Sequence, residues 1–534
     1  MSFETDKQRY MFTGETGTGS GSFGSGGGDG EGAQPVVPIH IANEVEPLLM
    51  GPAYFAKLKA AIDALPNSGN PVIWLAGWWF TPLFSLDTMT GGPELTALLK
   101  AKSRAGVDVR VLGWVLAPEM MASSIVQSQA ADAFRTSYGT MRFIKELRTE
   151  PTLADKVACN TLSHPAGGVH AKMALVGNDD QMTVFTGGLD CVNDRHDPIW
   201  RDVQLRLTGP AAQPAFDFFR EMWNEVQGRS VKPLSFSVTL NGRVHAISLD
   251  NRTAAAAAIP ARSVGRASSG RIHAQSLRTV PQFNFPSLLG MSPVPMNETC
   301  SFAPSGIFEV DRGWRAAIAG AQTYYYVEDQ MLSSQPLCDA LNARVRADEG
   351  FHVVLVTGRF DPNDPPSDIG SWVRARAINL HLMRGLTPAQ RARVAIFNHA
   401  AKVVHCKIAI ADDKWGFVGS PNFAVRSQFT DFEHGFAFMD EAEAAVPAFR
   451  RQLWDSIFGA PEPDMAAALA RWFAIPEGGT QGDLQRITTP VPVPALGTVE
   501  RVAADAVFEV DSRKSWGADL MMLLAGNIGV PIGS

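Results

Sequence analysis

From about residue 39 onward, short apolar runs with the length of β-strands alternate with amphipathic stretches that have the period of an α-helix. In the first half, strands are predicted at residues 72–76, 107–112, 170–176 and 182–186, and helices at 95–105 and 214–226. In the second half, strands are predicted at 323–327, 353–356, 403–411 and 415–418, and helices at 337–347 and from 447 onward. The same order therefore occurs twice, with a period of over 200 residues that is too long for a solenoid. This duplication predicts an α/β fold of two lobes related by a pseudo-twofold axis.

Changes in composition suggest where these lobes begin and end. Residues 1–38 are rich in Gly, Ser and Thr, which predicts a flexible tail. The N-terminal lobe is expected at 39–232, a connection at 233–304, the C-terminal lobe at 305–475, and an extension at 476–534. The connection carries five arginines and no acidic residue over residues 251–297, and it is either a solvated linker or a basic flap that meets anionic headgroups.

The composition is that of a globular protein, with 45% hydrophobic and 19% charged residues. A net charge of −7 weighs against a dedicated nucleic-acid binder, so we expect no nucleic-acid partner. The five cysteines are scattered without a disulfide or zinc spacing, which favours buried, reduced thiols. No signal peptide and no apolar run of ~20 residues is visible, so we expect a monomer that is cytoplasmic as synthesised, with non-classical export possible.

The chemistry-bearing feature of the sequence is a His-x-Lys triplet that occurs once in each half. His170 and Lys172 form the first copy, and His405 and Lys407 form the second. Because residues i and i+2 of a strand share a face, each histidine is expected to project with its lysine. One such pair occurs by chance, but two pairs at matching places in a duplicated architecture predict one site shared by both halves.

Each triplet is followed by small residues, an amide or carboxylate, and a further acidic residue. The second copy is followed by Asp412, Gly419, Ser420, Asn422 and Glu433, and the first by Gly188, Asp190 and Asp202. The small residues allow close approach to an oxyanion, and Asn422 can donate an amide hydrogen bond. We expect Asp202 to orient His170, and Glu433 to bond the far nitrogen of His405.

At these residues the chain resembles the phospholipase D superfamily, whose double signature is His-x-Lys-(x)4-Asp followed by Gly-Ser-x-Asn or Gly-Gly-x-Asp. The spacing from Lys407 to Asp412 fits in full, whereas Gly177 stands where the first copy needs aspartate. Asp179 or Asp180 replaces that carboxylate, or it is absent. The resemblance covers roughly residues 70–230 and 305–460, and it is closer to two-motif lipid-hydrolysing members of the bacterial kind than to one-motif nucleases.

The resemblance implies two α-β-α sandwich lobes with the active site at their interface. It also implies a phosphohistidine on His170, with His405 as the acid that protonates the leaving group. The lysines and Asn422 would surround the phosphate oxygens, so no metal or cofactor is expected. The expected activity is hydrolysis of the distal phosphodiester of glycerophospholipids at a membrane surface, or transfer to an alcohol.

Two other functions remain open at this stage. One is a phosphodiesterase or nuclease of the same superfamily, or a toxin-like bacterial lipase with the same chemistry. The other is a non-catalytic membrane-binding protein that kept the fold. The aromatic residues Trp78, Trp79 and Phe80 are either core side chains or a hydrophobic entrance for acyl chains, and Cys406 is expected to be a core thiol.

Overall fold

The computed structural model describes residues 2–12, 36–87, 91–116, 131–164, 167–240, 242–253, 256–266, 268–282, 299–358, 367–497, 500–501, 504 and 509–513. The strands are β1 His40–Leu49, β2 Val72–Gly77, β3 Asp108–Trp114, β4 Val157–Asn160, β5 Met173–Gly177, β6 Met182–Gly187, β7 Trp200–Arg201, β8 Val203–Thr208, β9 Pro233–Leu240, β10 Arg243–Asp250 and β11 Ile272–Val280. They continue as β12 Ile307–Phe308, β13 Tyr324–Asp329, β14 His352–Gly358, β15 Val394–His399, β16 Val403–Val404, β17 Lys407–Ala411, β18 Trp415–Gly419, β19 Glu433–Asp440, β20 Thr480–Gln481 and β21 Leu484–Arg486.

The helices pack against these strands. They are α1 Phe3–Tyr10, α2 Gly51–Asp63, α3 Leu95–Arg104, α4 Ala131–Leu147, α5 Ala212–Gly228, α6 Glu309–Gly320, α7 Gln335–Ala347, α8 Ser367–Arg376, α9 Pro388–Arg391, α10 Val425–Phe429, α11 Ala445–Phe458 and α12 Met465–Ala474. A short 3₁₀ helix spans Asn193–His196, and a π-helical turn spans Ala377–Leu382. The predicted α/β class is confirmed.

Two sheets with the same topology form the centre of the fold. The first has the order β4-β3-β2-β5-β6-β8-β1, in which the β2/β3 and β3/β4 pairs are parallel and the others antiparallel. The second has the matching order β15-β14-β13-β17-β18-β19-β11 with the same directions. The sheets join where β1 pairs with β11, and strands β6 and β8 contact β18. We propose that these sheets are the cores of the two predicted lobes.

Apolar faces hold each sheet to its helices. Trp74 of β2 is buried and stacks on Phe216 and Phe219 of α5, with ring centroids 4.6 and 5.1 Å apart. In the second half, Tyr326 of β13 packs on Trp454 of α11 at 5.5 Å. Aromatic pairs of this kind add to the free energy gained by burial alone.

The N-terminus differs from the predicted flexible tail. Residues 3–10 form α1, in which the buried Tyr10 donates a hydrogen bond to Asp412 over 2.6 Å and Asp6 pairs with Lys414 at 2.7 Å. The composition of residues 1–38 concealed this helix because the glycine-rich stretch dominates their average. Residues 13–35, also part of the predicted tail, lie outside the described residues.

The connection at 233–304 is more ordered than a loop. It contains the β9–β10 hairpin and β11, which lies between β1 and β19. Three of its arginines pair with carboxylates, Arg262 with Asp179 at 3.1 Å, Arg266 with Asp180 at 3.0 Å and Arg278 with Glu309 at 2.9 Å. The described part of the connection is therefore structural, and the interpretation as a basic flap finds no support there. Residues 254–255, 267 and 283–298 lie outside the described part.

Candidate active site

Both histidines of the repeated triplets face one cavity of about 350 Å³. The cavity also contacts Asp190 and Asn422, the residues that end the two small-residue motifs. The two half-sites predicted from the sequence therefore meet around a single space.

Backbone pairing between the two halves places His170. Val169 forms a parallel bridge with Phe432, and the backbone N–H groups of His170 and Ala171 both donate to the Phe432 carbonyl at 2.9 and 2.8 Å. The imidazole Nδ1 then lies 3.1 Å from both carboxylate oxygens of Glu433 and 3.1 Å from the Ser420 carbonyl oxygen.

The same arrangement occurs around His405 with the halves exchanged. Strand β16 pairs in parallel with β7, and the His405 N–H donates to the Arg201 carbonyl at 2.7 Å. The imidazole Nδ1 lies 2.6 Å from Oδ2 of Asp202. In both histidines Nδ1 is engaged, so Nε2 is the nitrogen left for chemistry.

The sequence-based pairing of carboxylates with histidines was wrong. Asp202 holds His405 and Glu433 holds His170, so each histidine is oriented by the carboxylate of the other half. The prediction assumed that each copy is self-contained. Parallel backbone pairing between the halves instead places Glu433, the first residue of β19, beside His170. It likewise places Asp202, which directly follows β7, beside His405.

The triplets also differ from the predicted strand positions. His170 and Lys172 precede β5, and Lys407 is the first residue of β17. Both lysines are almost fully buried, and each ammonium donates to the carbonyl of its own histidine, at 3.1 Å in the first half and 2.6 Å in the second. Lys172 also pairs with Asp190 at 3.4 Å.

The small residues make room for the orienting carboxylates. A Cβ on Gly188 would lie 2.3 Å from Oδ1 of Asp202, and one on Gly419 would lie 2.6 Å from the Gly435 backbone. At the position matching Gly188, the hydroxyl of Ser420 donates to Glu433. Ser420, predicted to allow close approach to an oxyanion, thus supports the carboxylate behind His170, and Gly188 leaves room for the carboxylate behind His405.

Asp190 and Asn422 occupy equivalent places but differ in their partners. Oδ1 of Asp190 accepts from the backbone N–H groups of Trp78 and Trp79, each at 3.0 Å. The side-chain Oδ1 of Asn422 has no hydrogen-bond partner among the described residues, although it borders the cavity.

Asp412 has a supporting role that fits its place in the motif. Its carboxylate accepts from the backbone N–H groups of Gln322, Thr323 and Tyr324, which fixes the start of β13. The side chain lies beyond the opposite end of β17 from Lys407, and it is not among the residues that line the cavity.

The first half has no equivalent of this carboxylate at the site, and the suggestion of Asp180 as its replacement was wrong. Asp180 is exposed and pairs with Arg266 at 3.0 Å. Asp179 accepts from Asn70 at 2.6 Å, and the side chain of Asn178 donates to the Ser68 carbonyl at 3.0 Å. Asn178 and Asp179, in the turn between β5 and β6, thus hold the segment that precedes β2 by hydrogen bonds to Ser68 and Asn70.

Burial shifts the pKa of the two histidines, of their orienting carboxylates and of the two lysines. It lowers the pKa of both His170 and His405 well below the usual value, and the neighbouring lysines lower it further. Burial raises the pKa of Asp202 and of Glu433 to about 7. It lowers the pKa of Lys172 and Lys407, which the nearby carboxylates partly offset. An anionic phosphate in the cavity would favour the charged histidine and lysine forms.

A tryptophan stands edge-on to each histidine. Trp78 lies 5.4 Å from the His170 ring and Trp200 lies 5.6 Å from the His405 ring, between centroids. Trp79 also borders the cavity, whereas Phe80 is buried. The two interpretations of this aromatic run therefore divide between its members, since Trp78 and Trp79 face the cavity and Phe80 belongs to the core.

Sequence reasoning missed several cavity residues, among them Arg195 and Arg426. Their signal was present: an arginine follows Gly187 by eight residues and Gly419 by seven. The cysteines behave as expected, since all five are buried and unpaired, including Cys406. Among the described residues, no cluster of His, Cys, Asp or Glu is spaced to hold a metal ion. No helix in the described ranges is long and apolar enough to cross a membrane.

Comparisons with known proteins found one family model and several solved structures similar to this chain. Residues 315–454 match the family described as cardiolipin synthase, PLD-like domain. The crystal structure of phosphatidylserine synthase from Haemophilus influenzae Rd KW20 is similar at a TM-score of 0.50 and 11% identity, covering 78% of this chain and 87% of that one. No curated protein sequence gives a significant match.

Other solved structures are less similar. Nuc, a phospholipase D family member from Salmonella typhimurium, matches at a TM-score of 0.23 and 12% identity, over 36% of this chain and 97% of that one. Polyphosphate kinase from Porphyromonas gingivalis matches at 0.38 and 13%, over 77% and 49%. Both scores are too low to carry an argument. The family match places residues 315–454 in the PLD-like domain family, and the shared fold and the paired triplets support the phospholipase D superfamily for the chain.

Proposed function

We propose that this protein is a phosphodiesterase of the phospholipase D type, which hydrolyses the distal phosphodiester of glycerophospholipids to phosphatidic acid and a free headgroup. The observation that carries the proposal is the convergence of His170 and His405 on one cavity, each held through Nδ1 by a buried carboxylate. A buried lysine beside each histidine supplies positive charge for the phosphate oxygens without a metal.

The first half of the reaction forms a bond between phosphorus and Nε2 of His170, while the bond from phosphorus to the headgroup oxygen breaks. His405 gives its Nε2 proton to the departing alkoxide. In the second half, His405 takes a proton from water, the hydroxide attacks phosphorus, and the bond to His170 breaks. Lys172, Lys407 and the amide of Asn422 stabilise charge on the non-bridging oxygens throughout.

The environments of the two imidazoles support this division of roles. His405 has the shorter carboxylate contact, 2.6 Å to Asp202, which favours the imidazolium form when substrate binds. His170 shares Glu433 with the Ser420 hydroxyl, so less of that negative charge acts on its ring. The neutral imidazole needed for attack is therefore favoured at His170, as the family resemblance implied.

Transfer to an alcohol in place of hydrolysis is the second candidate activity. The same phosphohistidine serves both reactions, and only the second acceptor differs. The match to a domain described as cardiolipin synthase favours this alternative. Phospholipid substrates are supported in both cases by the partly exposed Trp78 and Trp79 at the cavity, which offer apolar surface near the lipid interface.

The test incubates the pure protein with phosphatidylcholine or phosphatidylserine in detergent micelles, in buffer containing chelator and ethanol. We expect phosphatidic acid together with phosphatidylethanol, since an alcohol captures the covalent intermediate. His170→Ala and His405→Ala should lose several orders of magnitude in rate, whereas the surface variant His381→Ala should not. Parallel samples with DNA and RNA test the nuclease alternative. Cleavage of nucleic acid but not lipid would refute the proposal.

A further inference from the structure

Arg195 is a cavity residue that the family motifs do not include. It lies in the 3₁₀ helix Asn193–His196, directly after the first small-residue motif, and its side chain is only 7% exposed. It borders the same cavity as the two histidines. Burial of a guanidinium costs free energy unless its charge is paired and its N–H groups find acceptors.

Most of the donor capacity of Arg195 is unused. Nη1 donates to Asp194 at 3.0 Å, and Asp194 is itself 44% exposed. Among the described residues no acceptor meets Nε, although this atom is buried, and none meets Nη2. A single contact to an exposed carboxylate contributes little to an ion pair because solvent screens it. The hydrogen-bond donors of Arg195 are therefore only partly satisfied by the described residues.

Arg195 acts on the His405 side of the cavity. Its guanidinium lies 3.6 Å from the centroid of Trp200, the ring that stands edge-on to His405 at 5.6 Å. This stacking fixes the plane of the fork, which reduces the entropy lost when it binds an anion. The charge of Arg195 is also one of the causes that lower the pKa of His405, consistent with its proximity.

The His170 side is not equivalent. There, the corresponding Arg426 is held by two hydrogen bonds to Asp431, from Nε at 3.2 Å and from Nη2 at 2.9 Å. The carboxylate of Asp431 is buried, so it compensates the charge of Arg426 well. The pseudo-twofold relation between the half-sites is thus broken, because Arg426 donates twice to a buried carboxylate and Arg195 donates once to a partly exposed one.

We propose that Arg195 binds an anionic group on the leaving alcohol, so that the enzyme prefers phospholipids whose headgroup carries a carboxylate or a second phosphate. This inference rests on the proposed function, in which His405 protonates the leaving group and the headgroup therefore lies on its side. The fork of Arg195 can meet a carboxylate or phosphate with two parallel hydrogen bonds. A choline or ethanolamine headgroup has no acceptor for it.

Phosphatidylserine and phosphatidylethanolamine provide the test, because their headgroups differ by one carboxylate. Both are presented at low mole fraction in neutral detergent micelles, so the surface charge stays small. A charged hydrogen bond contributes ~1.5–3 kcal/mol, so kcat/KM for the wild type should favour phosphatidylserine by at least about tenfold. Arg195→Met should bring the two lipids within about twofold, mainly through KM, and Arg195→Lys should keep part of the preference.

Arg266→Met removes an exposed guanidinium far from the cavity and should leave the preference intact. Binding of glycerophosphoserine and glycerophosphoethanolamine by calorimetry adds a readout that does not need turnover, and thermal unfolding checks that the variants fold. Turnover of both lipids without preference in the wild type, or an unchanged preference in Arg195→Met, would overturn the inference while leaving the proposed function standing. A binding preference without any lipid turnover would instead refute the proposed function and retain the anion site.

Discussion

The Nδ1 atom of His405 lies 2.6 Å from Asp202, a residue 203 positions earlier in the chain and part of the other copy of the repeat. His170 and Glu433 form the reciprocal contact at 3.1 Å. The two copies thus exchange their orienting carboxylates.

Replacing Asp202 by Asn should alter the titration of His405 and leave that of His170 nearly unchanged, and Glu433→Gln should do the reverse. Each variant should also lower kcat by ~10² or more, because a misoriented imidazole loses its place in proton transfer. NMR titration of histidines labelled with ¹⁵N in both variants measures the effect. A shift of His170 in Asp202→Asn would contradict the exchanged arrangement.

Asp202→Asn should also change how stability depends on pH. Burial raises the pKa of Asp202 to about 7, so the folded protein holds this proton more tightly than the unfolded chain does. This group therefore stabilises the wild type below its unfolded pKa of 3.8, and the contribution is lost as the pH rises through about 7. Since Asn carries no charge, the variant should have the higher Tm above pH 7, by a few degrees.

The difference in Tm between Asp202→Asn and the wild type should shrink as the pH falls toward 4. Thermal unfolding at both ends of this range measures it. His381→Ala, a change in a partly exposed pair with Asp339, serves as the control whose difference from the wild type should stay small. A variant that is less stable than the wild type at high pH would show that the hydrogen bond to His405 outweighs the cost of the buried charge.

Gly188→Ala should abolish activity while the fold persists. The added methyl group would lie 2.3 Å from Oδ1 of Asp202, so the carboxylate must move away from its position behind His405. Gly228→Ala is a matched control, because a Cβ at the end of α5 meets nothing within 4 Å. Initial rates and circular dichroism of both variants decide the matter. Near wild-type turnover of Gly188→Ala would mean that the exact placement of Asp202 is unimportant.

Tyr10→Phe should destabilise the protein by ~1–2 kcal/mol, because it leaves a buried carboxylate oxygen of Asp412 with one donor fewer. Denaturant unfolding measures the loss. The effect on kcat should be small, since α1 contacts the end of β17 remote from Lys407. Phe3→Tyr is the control variant, because it adds a hydroxyl group in the same helix and keeps the Tyr10–Asp412 hydrogen bond. A large fall in kcat without loss of stability would contradict a purely supporting role for Tyr10.

Arg201 and Glu328 form a buried ion pair between the two halves, which Tyr326 supports through a hydrogen bond of 3.0 Å. Arg201→Met should cost ~3–5 kcal/mol, since it leaves an unpaired buried carboxylate. The double variant Arg201→Met/Glu328→Leu should recover much of this loss, because no charge remains to be compensated. A double-mutant cycle in denaturant measures the recovery, and strictly additive losses would count against the pair as the source.

The sequence was sufficient to predict the fold class and the positions of most strands, because apolar runs and triplet spacing are local signals. The equivalence of β2 with β13, and of β5 with β17, follows directly from the repeated pattern. The partners of the histidines could not be obtained in this way. They depend on the parallel bridge from Val169 to Phe432, which joins positions more than 250 residues apart.

The hydrogen-bond acceptors that Arg195 meets could not be predicted from the sequence for a similar reason. Its spacing from Gly187 resembles that of Arg426 from Gly419, yet only the second arginine meets a buried carboxylate. Helix α1 escaped notice because a short helix beside a long glycine-rich stretch is lost in the average composition. Contacts between distant segments, rather than local preference, decided each of these points.

The parallel pairing of β16 with β7, and of Val169 with Phe432, makes each copy of the repeat incomplete by itself. A polypeptide containing only one copy would keep its histidine but lack the carboxylate that orients the imidazole. Selection can therefore alter loops in either copy freely, yet it cannot silence one copy and retain half the activity.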